Sequence, residues 1–305
     1  MIDDRSRIQY APAGDLQLAY ETFGDPGDVP IVLVMGLATQ MIGWPEELCE
    51  DLAARGHFVV RFDNRDIGLS SHLDDAPPAD LGAAMTGDTS SAAYTLTDMA
   101  RDVIHVMDAL GFESAHVVGA SMGGMIAQTV AIEHPERVRS LTSLMSTTGD
   151  RSVGAPSQAA IEVLLAPPAR TREEAQERAI AGIRVIGSPG FERDEADLRE
   201  RVGIAYDRAH DPAGVGRQLM AILASADRTP RLAEIKVPVG VIHGADDALI
   251  GVSGGRATAA AIPGAELHII DGWGHDFPKG VLPELAERIS AVVARGEAEP
   301  RAEAA

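Results

Sequence analysis

Five consecutive residues, Gly119-Ala120-Ser121-Met122-Gly123, have the spacing of a serine nucleophile held on a tight turn. Residues 115–118 before them form a short apolar run, and residues 122–134 after them have helical spacing that stops at Pro135. A strand-to-helix turn of this kind forces its central residue into an unusual backbone conformation, and the flanking glycines remove side chains that would collide. The following helix points free amides at the same place, which favours a developing oxyanion. We therefore predict that Ser121 is a nucleophile in a hydrolytic reaction.

Two later strand ends supply candidates for the base and the acid that a serine nucleophile needs. The apolar run 239–243 is followed by Gly244-Ala245-Asp246-Asp247, in which either aspartate is a candidate. The run 265–270 is followed by Asp271-Gly272-Trp273-Gly274-His275. His275 is the one of the nine histidines that lies on such a glycine-rich loop, and this position predicts that it is the general base.

Together these motifs resemble those of the α/β-hydrolase superfamily over nearly the whole chain. The shared features are Gly-x-Ser-x-Gly on a strand-to-helix turn, Gly-x-x-Asp after a strand and Gly-x-Gly-His before the last helix, in the order serine, acid, histidine. The resemblance implies that the acid is Asp247, three residues after Gly244, and that Asp246 is a turn residue or a solvated neighbour. Ser121, Asp247 and His275 are then the expected catalytic triad.

The resemblance also implies an oxyanion hole formed by two backbone amides. One is expected from Met122, the residue after the nucleophile, and the other from the loop Met35-Gly36-Leu37-Ala38 after the first parallel strand. Leu37 is the preferred second donor, and Ala38 is the alternative. The histidines lack His-x-x-x-His spacing and the glycines lack the spacing of nucleotide-binding loops, so we expect neither a metal nor a cofactor.

Three further stretches are similar to the aclacinomycin methylesterase group, whose members cleave a methyl ester from a polycyclic aromatic polyketide. They are Val34-Met35-Gly36, Gly43-Trp44-Pro45 and Arg61-Phe62-Asp63-Asn64-Arg65-Asp66-Ile67-Gly68-Leu69-Ser70. We expect residues 63–70 to form a turn braced by Arg65 and the aspartates, and not a substrate contact. A serine at position 121 counts against haloalkane dehalogenase and epoxide hydrolase chemistry, which uses aspartate there in this superfamily.

The apolar pattern predicts an α/β fold of the α/β-hydrolase type, with a mostly parallel eight-stranded sheet flanked by helices. Residues 5–10 and 16–23 alternate in polarity around Ala13-Gly14-Asp15, which predicts an antiparallel hairpin at one edge. Six further strands are predicted at residues 31–35, 58–62, 115–118, 138–145, 239–243 and 265–270.

Strand signals disappear between residues 150 and 232, where helical patterns replace them. These patterns predict helices at residues 158–165, 172–186, 194–210 and 215–226. We interpret residues 150–230 as a helical cap inserted late in the sheet of a core formed by residues 1–149 and 231–305. A long surface loop is expected over residues 74–91, and a disordered tail from Arg295.

The composition is typical of a soluble globular protein, with 305 residues of which 45% are hydrophobic and 24% charged. A net charge of −20 opposes binding to nucleic acid. Every apolar run is far shorter than the roughly 20 residues that span a membrane, and the acidic N-terminus does not resemble a secretory signal. We therefore expect a cytoplasmic location. Cys49, the single cysteine, is expected to be a small buried residue.

These observations predict a serine hydrolase that cleaves a carboxylic ester of an uncharged, moderately hydrophobic small molecule through an acyl-serine intermediate. Perhydrolysis, lactone opening and carbon-carbon bond hydrolysis by the same triad are alternatives, and a ligand-binding receptor of the same fold is an alternative of another class. Five apolar residues of the cap and of the region near the nucleophile are expected to line the substrate pocket: Met35, Met41, Leu164, Met220 and Leu223. Each of them is equally compatible with a place in the apolar core.

Overall fold

A computed structural model describes residues 7–298, which are built around an eight-stranded sheet. The strands are β1 (Gln9–Ala13), β2 (Leu16–Phe23), β3 (Val29–Val34), β4 (His57–Phe62), β5 (Ala115–Ala120), β6 (Val138–Leu144), β7 (Val239–Gly244) and β8 (Glu266–Ile270). Their order is β1-β2-β4-β3-β5-β6-β7-β8. The pairs β1–β2 and β2–β4 are antiparallel, and all the other pairs are parallel. The predicted mostly parallel sheet with an edge hairpin is thus confirmed.

Helices connect the strands and cover both faces of the sheet. They are α1 (Glu46–Ala54), α2 (Leu81–Met85), α3 (Leu96–Ala109), α4 (Met122–Glu133), α5 (Gln158–Leu164), α6 (Arg172–Ile186), α7 (Glu195–Arg208), α8 (Pro212–Ala224), α9 (Thr229–Leu232), α10 (Ser253–Ala261) and α11 (Leu282–Ala298). Short 3₁₀ turns occur at Met41–Gly43, Pro135–Arg137 and Lys279–Val281. Among the helices of residues 7–298, none combines the length and the apolar character that crossing a membrane requires.

Two apolar layers hold the helices against the sheet. Val32 and Val34 of β3 face the layer formed with α3 and α4. Ile31 and Leu33 of the same strand face the layer formed with α1 and α11. Successive side chains of a strand point to opposite faces, so a strand with both faces covered must be apolar throughout, as β3 is. Cys49 lies fully buried in the second layer, where burial raises the pKa of its thiol to about 12 and keeps it protonated.

The helices α5 to α8, which the sequence pattern assigns to a cap, follow β6 and precede β7 in the chain, and are called here the inserted helices. Each is preceded by a residue whose side-chain oxygen accepts a hydrogen bond from an amide of the first turn, which satisfies a donor that the helix itself leaves free. These capping residues are Ser157, Thr171, Asp194 and Asp211. All four helices lie close to the positions that the sequence predicts.

Two irregular segments differ from expectation. The stretch 74–91, predicted as a long loop, contains helix α2, because the Asp80 side chain accepts from the amide of Ala83 at 2.9 Å and starts a helical turn. The tail predicted to be disordered from Arg295 is wrong for residues 295–298, which continue α11. Arg295 is fixed there by a hydrogen bond of 2.9 Å to the carbonyl of Val239. The rest of the predicted tail, residues 299–305, and the start of the predicted hairpin, residues 5 and 6, lie outside the described residues.

Candidate active site

Ser121 lies on the turn between β5 and α4, with a φ of +56° that side-chain-bearing residues rarely adopt. The turn is this tight because the chain segments around it pack backbone to backbone. A Cβ atom at Gly119 would lie 2.0 Å from the carbonyl oxygen of Gly123, and one at Gly123 would lie 2.0 Å from that of Val34. Both contacts are impossible for any residue but glycine, which explains the Gly-x-Ser-x-Gly spacing.

A continuous hydrogen-bonded path connects Ser121, His275 and Asp247. The Nε2 atom of His275 lies 3.0 Å from Oγ of Ser121, and its Nδ1 atom lies 2.7 Å from Oδ2 of Asp247. The other carboxylate oxygen of Asp247 accepts from the amides of Leu249 at 2.9 Å and Ile250 at 2.8 Å. Asp247 is therefore buried with both oxygens satisfied and oriented.

Asp246, the other candidate acid, points away from this path. It is exposed, and its Oδ2 atom accepts from the amide of Gly272 at 2.9 Å. Its place is that of a turn residue that joins the loops after β7 and β8. The structure thus brings together the serine, the histidine and the second of the two aspartates.

The loop that carries His275 is fastened to the C-terminal end of α6. The His275 amide donates to the carbonyl of Ile186 at 2.7 Å, and the Gly274 amide donates to Oγ of Ser188 at 2.9 Å. The Ser188 hydroxyl in turn donates to the carboxylate of Asp276. Burial raises the pKa of Asp276, and the hydrogen bonds from Ser188 oppose that rise. Asp276 thus shapes the loop together with Ser188, which the sequence does not single out because no motif marks it.

The loop after β3 lies directly against Ser121. A Cβ atom at Gly36 would lie 3.0 Å from Cβ of Ser121. The Ala38 amide is occupied, since it donates to Oε1 of Gln218 in α8 at 3.1 Å. The amides of Leu37 and Met122 form no hydrogen bond with any part of residues 7–298. Met122 is the first residue of α4, a position whose amide has no partner within its own helix.

Two buried ion pairs join the turn 63–70 to the inserted helices. Asp63 accepts from Arg208 of α7 at 2.9 Å, and both side chains are almost inaccessible to solvent. Asp66 accepts two hydrogen bonds of 2.8 Å from Arg217 of α8. The expectation for the aspartates is met, since Asp63 accepts from the Leu69 amide within the turn at 2.9 Å. The expectation for Arg65 is wrong, because Arg65 pairs with Asp102 of α3, at 2.6 and 2.7 Å. The two arginines that pair with Asp63 and Asp66 lie more than 140 residues further along the chain.

Replacing Arg208 by methionine is expected to lower the free energy of unfolding by about 3–5 kcal/mol, because Asp63 is left charged, buried and without its cation. Burial already raises the pKa of Asp63, and the Arg208 guanidinium opposes that rise. The matched control is Arg199→Met in the same helix, whose ion pair with Glu177 is exposed, and this change is expected to leave the stability almost unaltered. Urea unfolding measures both variants. Equal losses of unfolding free energy in the two variants would show that burial does not determine how much the Asp63–Arg208 ion pair stabilises the protein.

A second cluster fastens the start of α8 to the same turn. Atoms of Asp66, His72 and Asp211 that could bind a metal lie within 4.8 Å of one another. They are already engaged, since Asp66 binds Arg217 and Asp211 lies 2.7 Å from Nδ1 of His72. Burial lowers the pKa of His72, but hydrogen bonds to Asp211 and to the Gly68 carbonyl outweigh it and raise that pKa. The cluster is accordingly an ion-pair network between the turn and α8.

The five residues expected to line a substrate pocket occupy two kinds of position. Met35, Met41 and Met220 are almost fully buried, whereas Leu164 and Leu223 are partly buried. Two clefts of about 270 and 250 Å³ open on the surface, one between α1 and α7 and one between α5 and α6. Neither cleft is lined by these five residues or by the Ser121–His275–Asp247 path. The composition of the substrate pocket therefore stays a prediction.

Comparison with known proteins identifies relatives along nearly the whole chain. The family described as "alpha/beta hydrolase fold" matches residues 29–278. A rhodomycin D methylesterase (DauP) of Streptomyces sp. (strain C5) is 32% identical over 298 residues, which cover 91% of this chain and 95% of that protein. A putative carbamate hydrolase (RutD) of Azorhizobium caulinodans is 31% identical over 283 residues, with the same coverage. The crystal structure of the enol-lactonase from Burkholderia xenovorans LB400 has a TM-score of 0.69 at 23% identity, covering 94% of this chain and 99% of that chain.

Proposed function

Because the chain belongs to the α/β-hydrolase family and is a hydrolase, we propose that it is a serine esterase with the triad Ser121, His275 and Asp247. The observation that carries this proposal is the hydrogen-bonded path from Oγ of Ser121 through His275 to Asp247, with distances of 3.0 and 2.7 Å. A nucleophile within reach of a base, and a base oriented by a buried acid, is the arrangement that acyl transfer requires.

In the proposed first half-reaction, Oγ of Ser121 attacks the ester carbonyl while Nε2 of His275 takes the hydroxyl proton. Asp247 accepts from the protonated Nδ1 atom of His275, which fixes the tautomer and stabilises the imidazolium that forms. His275 then returns the proton to the departing alkoxide, and an alcohol leaves. In the second half-reaction the same histidine activates water, which releases the carboxylic acid from the acyl-serine.

The tetrahedral intermediates carry a negative oxygen that two amides must stabilise. We assign these donors to Met122 and Leu37. The sequence leaves Ala38 as an alternative to Leu37, but its amide already donates to Gln218. An amide with a protein acceptor at 3.1 Å is poorly suited to bind an oxyanion, so the contact favours Leu37 as the second donor.

We propose a carboxylic ester of an uncharged, moderately hydrophobic small molecule as the substrate. The identity of 32% to a methylesterase supports an ester as the substrate. The buried methionines beside the Ser121 turn support an apolar substrate. Hydrolysis of a carbamate by the same groups is the second candidate, which the similarity to RutD favours. Lactone opening, an alternative from the sequence, is tested beside it.

A substrate panel combined with active-site labelling tests the proposal. The panel contains nitrophenyl esters of increasing acyl length, methyl esters of neutral and anionic aromatic acids, a carbamate and a lactone. We expect the highest kcat/KM for a neutral ester, and a fluorophosphonate probe that adds once per chain, at Ser121 and not at the neighbouring Ser146. Faster turnover of the carbamate or lactone would replace the ester assignment, and a protein that neither turns over substrate nor reacts with the probe would contradict the serine mechanism.

A further inference from the structure

Gln218 connects two loops of the sheet from its place in α8. The side chain is fully buried. Its Oε1 atom accepts from the amide of Ala38 at 3.1 Å, and its Nε2 atom donates to the carbonyl of Arg65 at 2.8 Å. One glutamine therefore satisfies a donor in the loop after β3 and an acceptor in the turn after β4.

The contact with Ala38 fixes the peptide unit next to the proposed oxyanion donor. Ala38 has a φ of +60°, in the left-handed region, so its conformation needs support from its surroundings. The peptide unit between Leu37 and Ala38 is held at both ends, because its N–H donates to Gln218 and its carbonyl accepts from the Thr39 hydroxyl at 3.1 Å. This peptide plane cannot rotate without breaking a hydrogen bond.

The preceding peptide unit is fixed at one end only. The Gly36 carbonyl accepts from the Thr39 amide at 3.4 Å. In a trans peptide the N–H points opposite to the C=O, so this bond also sets the direction of the Leu37 N–H. Of the four polar groups in the two peptide units, three are thus bound, and the one left for a ligand is the Leu37 amide.

The anchor behind Gln218 is itself rigid. Arg65, whose carbonyl binds Gln218, has its guanidinium paired with Asp102 at 2.6 and 2.7 Å. Arg217, the neighbour of Gln218 in α8, makes the buried double contact with Asp66. The glutamine is therefore held from the turn after β4 and from its own helix.

We propose that Gln218 is a positioning residue that selects Leu37 as the second oxyanion donor by occupying the Ala38 amide, an inference that rests on the proposed function. A residue outside the two loops of the oxyanion hole thereby fixes the peptide unit next to one of its donors. Because the oxyanion exists in the transition state and not in the bound substrate, loss of this positioning acts on kcat and leaves KM nearly unchanged.

The test uses two substitutions of Gln218 and a matched control, assayed with the best nitrophenyl ester. Gln218→Met keeps the size but loses both hydrogen bonds, and we expect kcat to fall by about 10–100-fold, somewhat less than the loss of a whole oxyanion donor. Gln218→Glu keeps an acceptor for Ala38 and is expected to recover most of this loss. Gln176→Met in α6 is the control. It removes a similar bond, from the side-chain Nε2 atom of Gln176 to the Arg199 carbonyl at 2.8 Å, and is expected to keep the kcat of the wild type.

A measurement on the wild type complements the variants and does not depend on their folding. Amide hydrogen exchange is expected to be slow at Ala38 and fast at Leu37, and equal rates would overturn the inference. A Gln218→Met variant whose kcat stays within twofold, or whose loss lies in KM, would also overturn it. If the wild type has no turnover, or if turnover survives Ser121→Ala, the proposed function fails and this inference with it.

Discussion

Replacing Ser121 by alanine is expected to lower kcat by about a million-fold and to leave KM within a few-fold of its wild-type value. In the proposed mechanism this hydroxyl forms the acyl intermediate, so its removal ends the covalent route. What remains is the slower attack of water on a substrate still held beside the amides of Leu37 and Met122. The Ser121→Ala variant should keep the fold, because the backbone of Ser121 also forms hydrogen bonds to the rest of the chain and the substitution leaves them in place.

The matched control for this prediction is Ser146→Ala. The Ser146 hydroxyl donates to the carbonyl of Ser121 at 2.8 Å, so it is close to the proposed nucleophile but does not contact His275 in its place. We expect the control to lower kcat by no more than about 10-fold, the effect of one lost neutral hydrogen bond. Steady-state kinetics on a single preparation of each variant decides the matter. A Ser121→Ala enzyme that keeps more than a few per cent of wild-type turnover would mean that another group starts the reaction.

Replacing Asp247 by asparagine is expected to lower kcat by about ten thousand-fold, whereas the same change at Asp246 is expected to cost less than about threefold. An asparagine at 247 can still accept from the amides of Leu249 and Ile250 through its oxygen. Its NH₂ group then faces Nδ1 of His275, which favours the tautomer whose Nε2 carries the proton and cannot take one from Ser121. Asp246 is exposed and contacts the Gly272 amide, so its charge is not part of this path.

The adjacent pair of aspartates makes this comparison sharp, because composition, net charge and position in the chain are nearly the same in the two variants. Unfolding curves for both should agree with the wild type within about 1 kcal/mol. A larger kinetic loss for Asp246→Asn than for Asp247→Asn would reverse the assignment that the contacts of the two side chains support.

The sequence predicts the local parts of this site well, because each depends on a few neighbouring residues. The turn around Ser121 requires glycines at fixed positions, and the end of a strand followed by a short glycine-rich loop places His275 at the edge of a parallel sheet. The choice of Asp247 over Asp246 comes from the resemblance to the α/β-hydrolase superfamily, and the contact of Asp247 with His275 supports it. The alternation period of the strands and the positions of the turn residues are enough to predict the order of the elements along the chain and most of their bounds.

The supporting contacts could not be predicted, because they join segments that are distant in sequence and chemically ordinary. Arg208 and Gln218 are common polar residues on helices, Ser188 lies in the loop after α6, and nothing in their sequence neighbourhood distinguishes them from exposed residues. Their partners lie 88, 145 and 180 residues away. The α2 turn was missed for another reason, since it rests on a single side-chain cap at Asp80 in a stretch of low helical periodicity.

The inserted helices hold the site from two directions, and this has a consequence for protein engineering. The end of α6 fastens the His275 loop and α8 fastens the Ala38 loop, so exchanging the whole segment for that of a relative would also disturb the proposed catalytic groups. Chimeras should retain residues 186–188, Arg208 and residues 217–218 and draw their diversity from α5 and the exposed faces of α6 and α7. In a library built this way, altered substrate preference can be selected without first having to restore a damaged catalyst.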